Sequence, residues 1–82
     1  MKGTVVAVDR AKKIAVVQTV FGQFSALELK NGSQLEKGDV VRGYLESQGN
    51  ETIINESRDA VVKVFFKETK LTRDQVGVYL KA

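Results

Sequence analysis

The sequence contains no cysteine, histidine, proline or tryptophan in its 82 residues. Without cysteine there is no disulfide framework, no thiolate nucleophile and no thiolate metal site. Without histidine the commonest general base and a common metal ligand are both missing. The glycines stand singly, and none forms the glycine-rich loop with which nucleotide-binding enzymes hold phosphates. We therefore expect no catalytic site, no metal site and no cofactor, and a protein that is not an enzyme.

Long apolar runs are missing as well. No stretch approaches the ~18 residues that a membrane-spanning helix needs. Met1 is followed by Lys2, Gly3 and a strand pattern, whereas a secretion signal would continue with an apolar segment. These features predict a cytoplasmic protein without a membrane segment.

The composition is that of a small folded domain with a mild basic excess. Hydrophobic residues make up 43% and charged residues 28%, which argues against disorder. Lysine and arginine number 13 against 10 acidic residues, a net charge of +3. An excess of this size suits contact with phosphates but does not require it. The length corresponds to one domain.

Short valine-rich segments separated by glycine and polar residues predict an all-β domain. The clearest alternation of apolar and polar residues lies in the third segment. The predicted strands are Thr4–Val8, Ile14–Val20, Phe24–Leu29, Val40–Leu45, Thr52–Asn55 and Val61–Phe66.

The C-terminal residues carry the signals of a helix start. Thr72 and Gln75 have the spacing of a capping box, in which each side chain bonds to the other residue's backbone N–H. Leu71 and Val76 occupy the two positions of a hydrophobic staple. We expect a short helix near Arg73–Lys81 that persists by docking on the barrel.

Several short motifs resemble one family. They are Lys2-Gly3-Thr4-Val5, a basic hairpin before the second strand, and the segment Leu35–Val41 before the fourth. In these features residues 2–57 resemble the cold-shock branch of the oligonucleotide-binding barrels. The resemblance implies a small five-stranded Greek-key barrel over residues 1–57. The strand and helix of residues 58–82 would then pack on the same domain.

Members of that family bind single-stranded nucleic acid by stacking bases on aromatic side chains, with lysine and arginine around them for the phosphates. Most of the aromatic platform is replaced here, since Ala7, Ile14 and Val16 stand where the family carries aromatic residues. The resemblance therefore implies a non-catalytic module that binds RNA or single-stranded DNA weakly and with little sequence preference. The expected contacts are Phe24 for stacking and Lys2, Arg10, Lys12, Lys13 and Arg42 for phosphates.

Alternatives remain open for each feature. The hairpin cations would either hold phosphates or form a solvated turn, and Phe24 would either stack a base or pack against a side chain. The face that the family leaves open would be apolar here, carrying Ala7, Ile14, Val16, Phe24 and Ala26. Such a face needs a cover, either residues 58–82 or another protein. The alternative function is therefore a protein-interaction or self-association module, with a protein partner or a second copy on that face.

Overall fold

The computed structural model describes residues 1–30 and 32–80, with Leu80 by its backbone alone. Within these residues the chain forms six strands and one helix. They are β1 (Lys2–Asp9), β2 (Ile14–Thr19), β3 (Phe24–Leu29), β4 (Val40–Arg42), β5 (Gly49–Asn55), β6 (Ala60–Leu71) and α1 (Arg73–Leu80). The expected end of the helix at Lys81 lies outside the described residues. No helix in the described part of the chain is both long and apolar enough to span a lipid bilayer.

The strands form a small closed antiparallel barrel in the order β1-β2-β3-β6-β5-β4. Two antiparallel meanders build it, one from β1 to β3 and one from β4 to β6. They join where β3 pairs with β6 and where β1 pairs with β4. The prediction of a small all-β barrel with a short C-terminal helix is confirmed.

The barrel interior is filled by side chains that alternate along the strands. Val5, Leu27, Val41, Ile53 and Phe66 come from five different strands, and all are almost completely buried. β2 differs because both of its faces are buried: Ala15 and Val17 face the interior, and Val16 lies under a cover on the outside. This is why β2 reads as a nearly continuous apolar run in the sequence.

The sixth strand is part of the barrel wall. It lies between β3 and β5, so β3 and β5 do not pair with each other and residues 4–55 do not close a barrel by themselves. The strand also continues five residues beyond the expected end at Phe66, to Leu71. Its last part bends through two register irregularities against β3 and carries Lys70 with φ 57°. The sequence pattern did not show this extension because residues 67–70 are polar.

β4 is shorter than its apolar pattern predicted, ending at Arg42. At Gly43 the chain passes so close to β5 that an added Cβ would lie 3.0 Å from Ile53 Cγ2. The chain then turns, and Leu45 is buried in the interior cluster. The hydroxyl of Ser25 donates to the Leu45 carbonyl at 2.6 Å and holds this turn.

Candidate nucleic-acid interface

The C-terminal helix of the same chain covers the outer face of β1, β2 and β3. Val16, Phe24 and Ala26 pack there against Leu71 and Val76, and we call these five residues the outer cluster. Val6, Ala7 and Tyr79 lie at its margin. Ile14, on the same face, is buried as well. The apolar face thus has an intramolecular cover.

The helix begins as its sequence predicted. The Thr72 N–H donates to Gln75 Oε1 at 2.8 Å, and the Gln75 N–H donates to Thr72 Oγ1 at 3.4 Å. These reciprocal bonds satisfy backbone donors at the helix start. Leu71 and Val76, the residues of the predicted staple, are both in the outer cluster. The cap fixes where the helix begins, and the staple residues attach its start to the outer face of β1, β2 and β3.

Phe24 does not occupy the position expected of a stacking residue. Only 6% of its surface is exposed, because the ring lies within the outer cluster. The guanidinium carbon of Arg73 lies 5.4 Å from the ring centroid, within the range of a cation–π contact. In this structure the chain itself fills the space that a base would need, so stacking on Phe24 stays a prediction that requires the cover to move away.

Lys2 and Arg42 are neighbours across β1 and β4, where they hold a carboxylate. Glu56 accepts from Arg42 Nε at 2.7 Å and pairs with Lys2 Nζ at 3.2 Å. The hydrogen bonds from Arg42 and then Lys2 lower the pKa of Glu56. A phosphate would have to displace this carboxylate. Lys2 is also separated from the hairpin at residues 10–13 by the length of β1, on the order of 25 Å.

The other three expected phosphate contacts are close together. Arg10, Lys12 and Lys13 form the turn between β1 and β2, and all three are exposed. Asp9 Oδ1 accepts from the Lys12 N–H at 3.1 Å, and the Lys13 N–H donates to the Arg10 carbonyl at 3.3 Å. Lys13 has φ 57°, which closes the turn. These bonds fix the backbone that carries the three cations.

An open cleft of about 210 Å³ lies beside this hairpin. Arg10 and Lys13 line one side, and Gly32, Ser33 and Gln34 line the other. Val8, Leu29 and Leu35 complete the lining. None of the described residues that line the cleft is acidic. It therefore combines positive charge with side-chain hydrogen-bonding groups, which is the chemistry that a phosphate oxygen needs.

Three exposed aromatic side chains lie outside the set of expected contacts. Phe65 is 37% exposed, Tyr44 77% and Phe21 70%. The signal for Phe65 was present, because adjacent Phe65 and Phe66 in a strand must face opposite sides. The amine of Lys30 lies 5.8 Å from the Phe65 ring centroid and partly covers it.

The chain matches no protein-family model, and no similar curated protein or solved structure was found.

Proposed function

We propose that this protein is a small non-catalytic module that binds RNA or single-stranded DNA, weakly and with little sequence preference, through the β1–β2 hairpin. One observation carries the proposal: Arg10 and Lys13 border an open cleft with no acidic residue among its described lining, and Lys12 stands between them in the turn. Phosphate contacts of this kind position a nucleic acid without reading its bases.

Because α1 covers the outer face of β1, β2 and β3, we expect a low affinity for nucleic acid. Base stacking on an aromatic side chain contributes roughly 1–3 kcal/mol per base, and the Phe24 ring is buried in this structure. Binding then rests on the release of counterions from the phosphates. For three phosphate contacts on a single strand, the slope of log K against log salt is about −2.

The test is a titration of labelled single-stranded RNA and DNA at two salt concentrations. The charge reversals Lys12→Glu and Lys13→Glu, made together, should weaken binding to every sequence by a similar factor and bring the salt slope toward zero. The matched control reverses Lys67 and Lys70, which are exposed on the far part of β6 and change the net charge equally. The control should retain the salt slope. Equal losses in the two double variants, or no binding at low salt, would contradict the proposal.

A second candidate is self-association, for which a different apolar surface is present. Val20, Phe21, Met1 and Tyr44 are exposed at one end of the barrel. The Val20 N–H donates to the Lys2 carbonyl at 3.2 Å and the Gly43 N–H donates to the Met1 carbonyl at 3.0 Å, so these segments adjoin. Light scattering across a concentration series tests it. A mass that rises with concentration in the native chain but not in Phe21→Ser would support association through this end.

A further inference from the structure

β5 has an edge along which only part of its backbone is paired. The Glu56 N–H donates to the Val40 carbonyl at 2.8 Å, so position 56 faces β4. Backbone groups of successive residues in a strand turn to opposite sides, and the register between β5 and β6 is continuous from Gly49 to Asn55. The N–H and C=O groups of Ile54, Thr52 and Asn50 therefore also face the side of β4.

β4 is too short to pair with all of these positions. It ends at Arg42, which lies opposite Ile54. The chain then turns inward, with the Leu45 N–H donating to the Gly43 carbonyl at 3.1 Å. Among the described residues, no backbone hydrogen bond joins residues 43–48 to Asn50 or Thr52. Both residues are exposed. They present a row of unpaired backbone donors and acceptors, as an open sheet edge does.

The surface beside this edge forms an open cleft of about 530 Å³. Tyr44, Asn50, Thr52, Lys30 and Lys63 contribute to its lining. The Tyr44 side chain is exposed and offers an apolar contact with a polar tip. The cleft has the dimensions to hold side chains of an added strand.

The charged side chains around this cleft indicate what kind of added strand it would bind. Among the described residues Lys63 forms no ion pair, and the Lys30 amine bonds to the neutral amide oxygen of Asn50. Glu51, the acidic residue in the described lining, accepts from the Ser47 hydroxyl at 2.8 Å. The two lysines thus favour acidic side chains. A second copy of this chain is disfavoured, because it would bring a second Lys30 and Lys63 to the same place.

We propose that the β5 edge at Asn50 and Thr52 binds an extended acidic peptide segment of another protein, which adds a strand beside β5. An edge offers alternating donors and acceptors, and a peptide backbone satisfies both. A phosphate backbone supplies only acceptors, so the exposed carbonyl groups would remain unpaired. This surface shares no residue with the hairpin cleft, and the inference stands independently of nucleic-acid binding.

The first test uses a nine-residue peptide of alternating valine and glutamate, with a valine–lysine peptide as its counterpart. Fluorescence anisotropy should show binding of the acidic peptide and little binding of the basic one. Thr52→Pro removes the outward N–H without removing a bond to β6, and edge strands tolerate proline. We expect affinity to fall roughly tenfold or more in Thr52→Pro. Thr52→Val, which keeps the N–H and the branched shape, should retain binding. Equal affinity of these two variants would overturn the proposal.

If Thr52→Pro does not fold, two further measurements test peptide binding at the β5 edge. Lys63→Glu lies on the solvent side of β6 and should invert the preference between the two peptides. Amide hydrogen exchange should show rapid exchange at Asn50 and Thr52 in the native chain, with protection appearing when the acidic peptide is added. Protection in the dilute native chain would reveal an internal partner. Protection that rises with protein concentration would instead identify a second copy as the occupant, and either result would overturn the proposal.

Discussion

At the scale of single residues, Asp39 is the most constrained acidic group of the described chain. Its residue is only 6% exposed. Its carboxylate accepts from Asn55 Nδ2 at 2.8 Å, from the Glu36 N–H at 3.0 Å and from Arg58 Nε at 3.2 Å. Burial raises its pKa, but the bonds from Asn55, Glu36 and Arg58 outweigh burial, and the pKa lies below its usual 3.8. One side chain thereby joins the segment before β4 to the end of β5 and to Arg58 in the β5–β6 turn.

Asp39→Ala should lower the free energy of unfolding by about 2 kcal/mol, because it leaves the buried Asn55 amide without its acceptor. A folded-state pKa below the unfolded value means that Asp39 stabilises the fold above pH ~4. That contribution is lost as pH falls through the folded pKa. Urea unfolding at pH 7 and pH 3 checks this: the gap between native and variant should narrow at pH 3. Asp59→Asn, at an exposed position of the same turn, is the control. A gap that is equal at both pH values would contradict the assignment.

At the scale of single elements, α1 shows how local signals and docking combine. The helix has eight residues, which is too short to be stable alone in water. Thr72 and Gln75 set where it begins, and Val76 attaches it to the barrel. Gly77 opposes helix formation without any compensating contact, since an added Cβ would meet no atom within 4 Å. The helix is therefore held by a few contacts: Val76 in the outer cluster, Tyr79 at its margin, and a hydrogen bond from the Tyr79 hydroxyl to the Glu68 carboxylate on β6.

Gly77→Ala should raise the free energy of unfolding by up to ~1 kcal/mol, because alanine has the higher helix propensity and no clash follows. Gly22→Ala is the matched control. It also has open space around the added Cβ, but Gly22 has φ +84°, and the substitution should cost about 1 kcal/mol. Thermal melting of the two variants separates these effects. An unchanged melting temperature in Gly77→Ala would indicate that α1 does not unfold together with the barrel.

At the scale of the whole molecule, β6 and α1 have different roles although they are consecutive. β6 carries Val62, Val64 and Phe66 into the barrel interior and separates β3 from β5. Burying each such side chain stabilises a fold by roughly 1.5–3 kcal/mol. Losing all three is comparable with the whole stability of a small domain. The helix lies outside the barrel wall and contributes Val76 to the outer cluster.

Two truncations distinguish these roles. A chain of residues 1–56 lacks β6 and should be unfolded, with no cooperative melting by circular dichroism. A chain of residues 1–71 keeps every strand and should fold, but it exposes Val16 and Phe24 and should bind a hydrophobic dye that the full chain does not bind. Cooperative folding of residues 1–56 would show that the barrel closes without β6, against the pairing described above.

The candidate site was predictable from the sequence only in part. The hairpin cations Arg10, Lys12 and Lys13 were expected together, because neighbours in a tight turn stay neighbours in any fold. The sequence placed Phe24 on the correct face of the barrel, but it left open whether residues 58–82 or another protein covers that face. Lys2 and Arg42 were expected to face phosphates, and they hold Glu56, which follows Arg42 by 14 residues.

Local patterns by themselves determined the all-β class, most strand positions, the helix start at Thr72 and the opposite orientation of Phe65 and Phe66. Each depends on backbone preferences and on neighbours a few residues apart. Tertiary structure alone decided that β6 enters the wall between β3 and β5, that Arg73 covers Phe24 and that β4 leaves the edge of β5 open. These outcomes depend on which distant segments pair. The free energy of that pairing comes from side chains that meet only when the barrel closes.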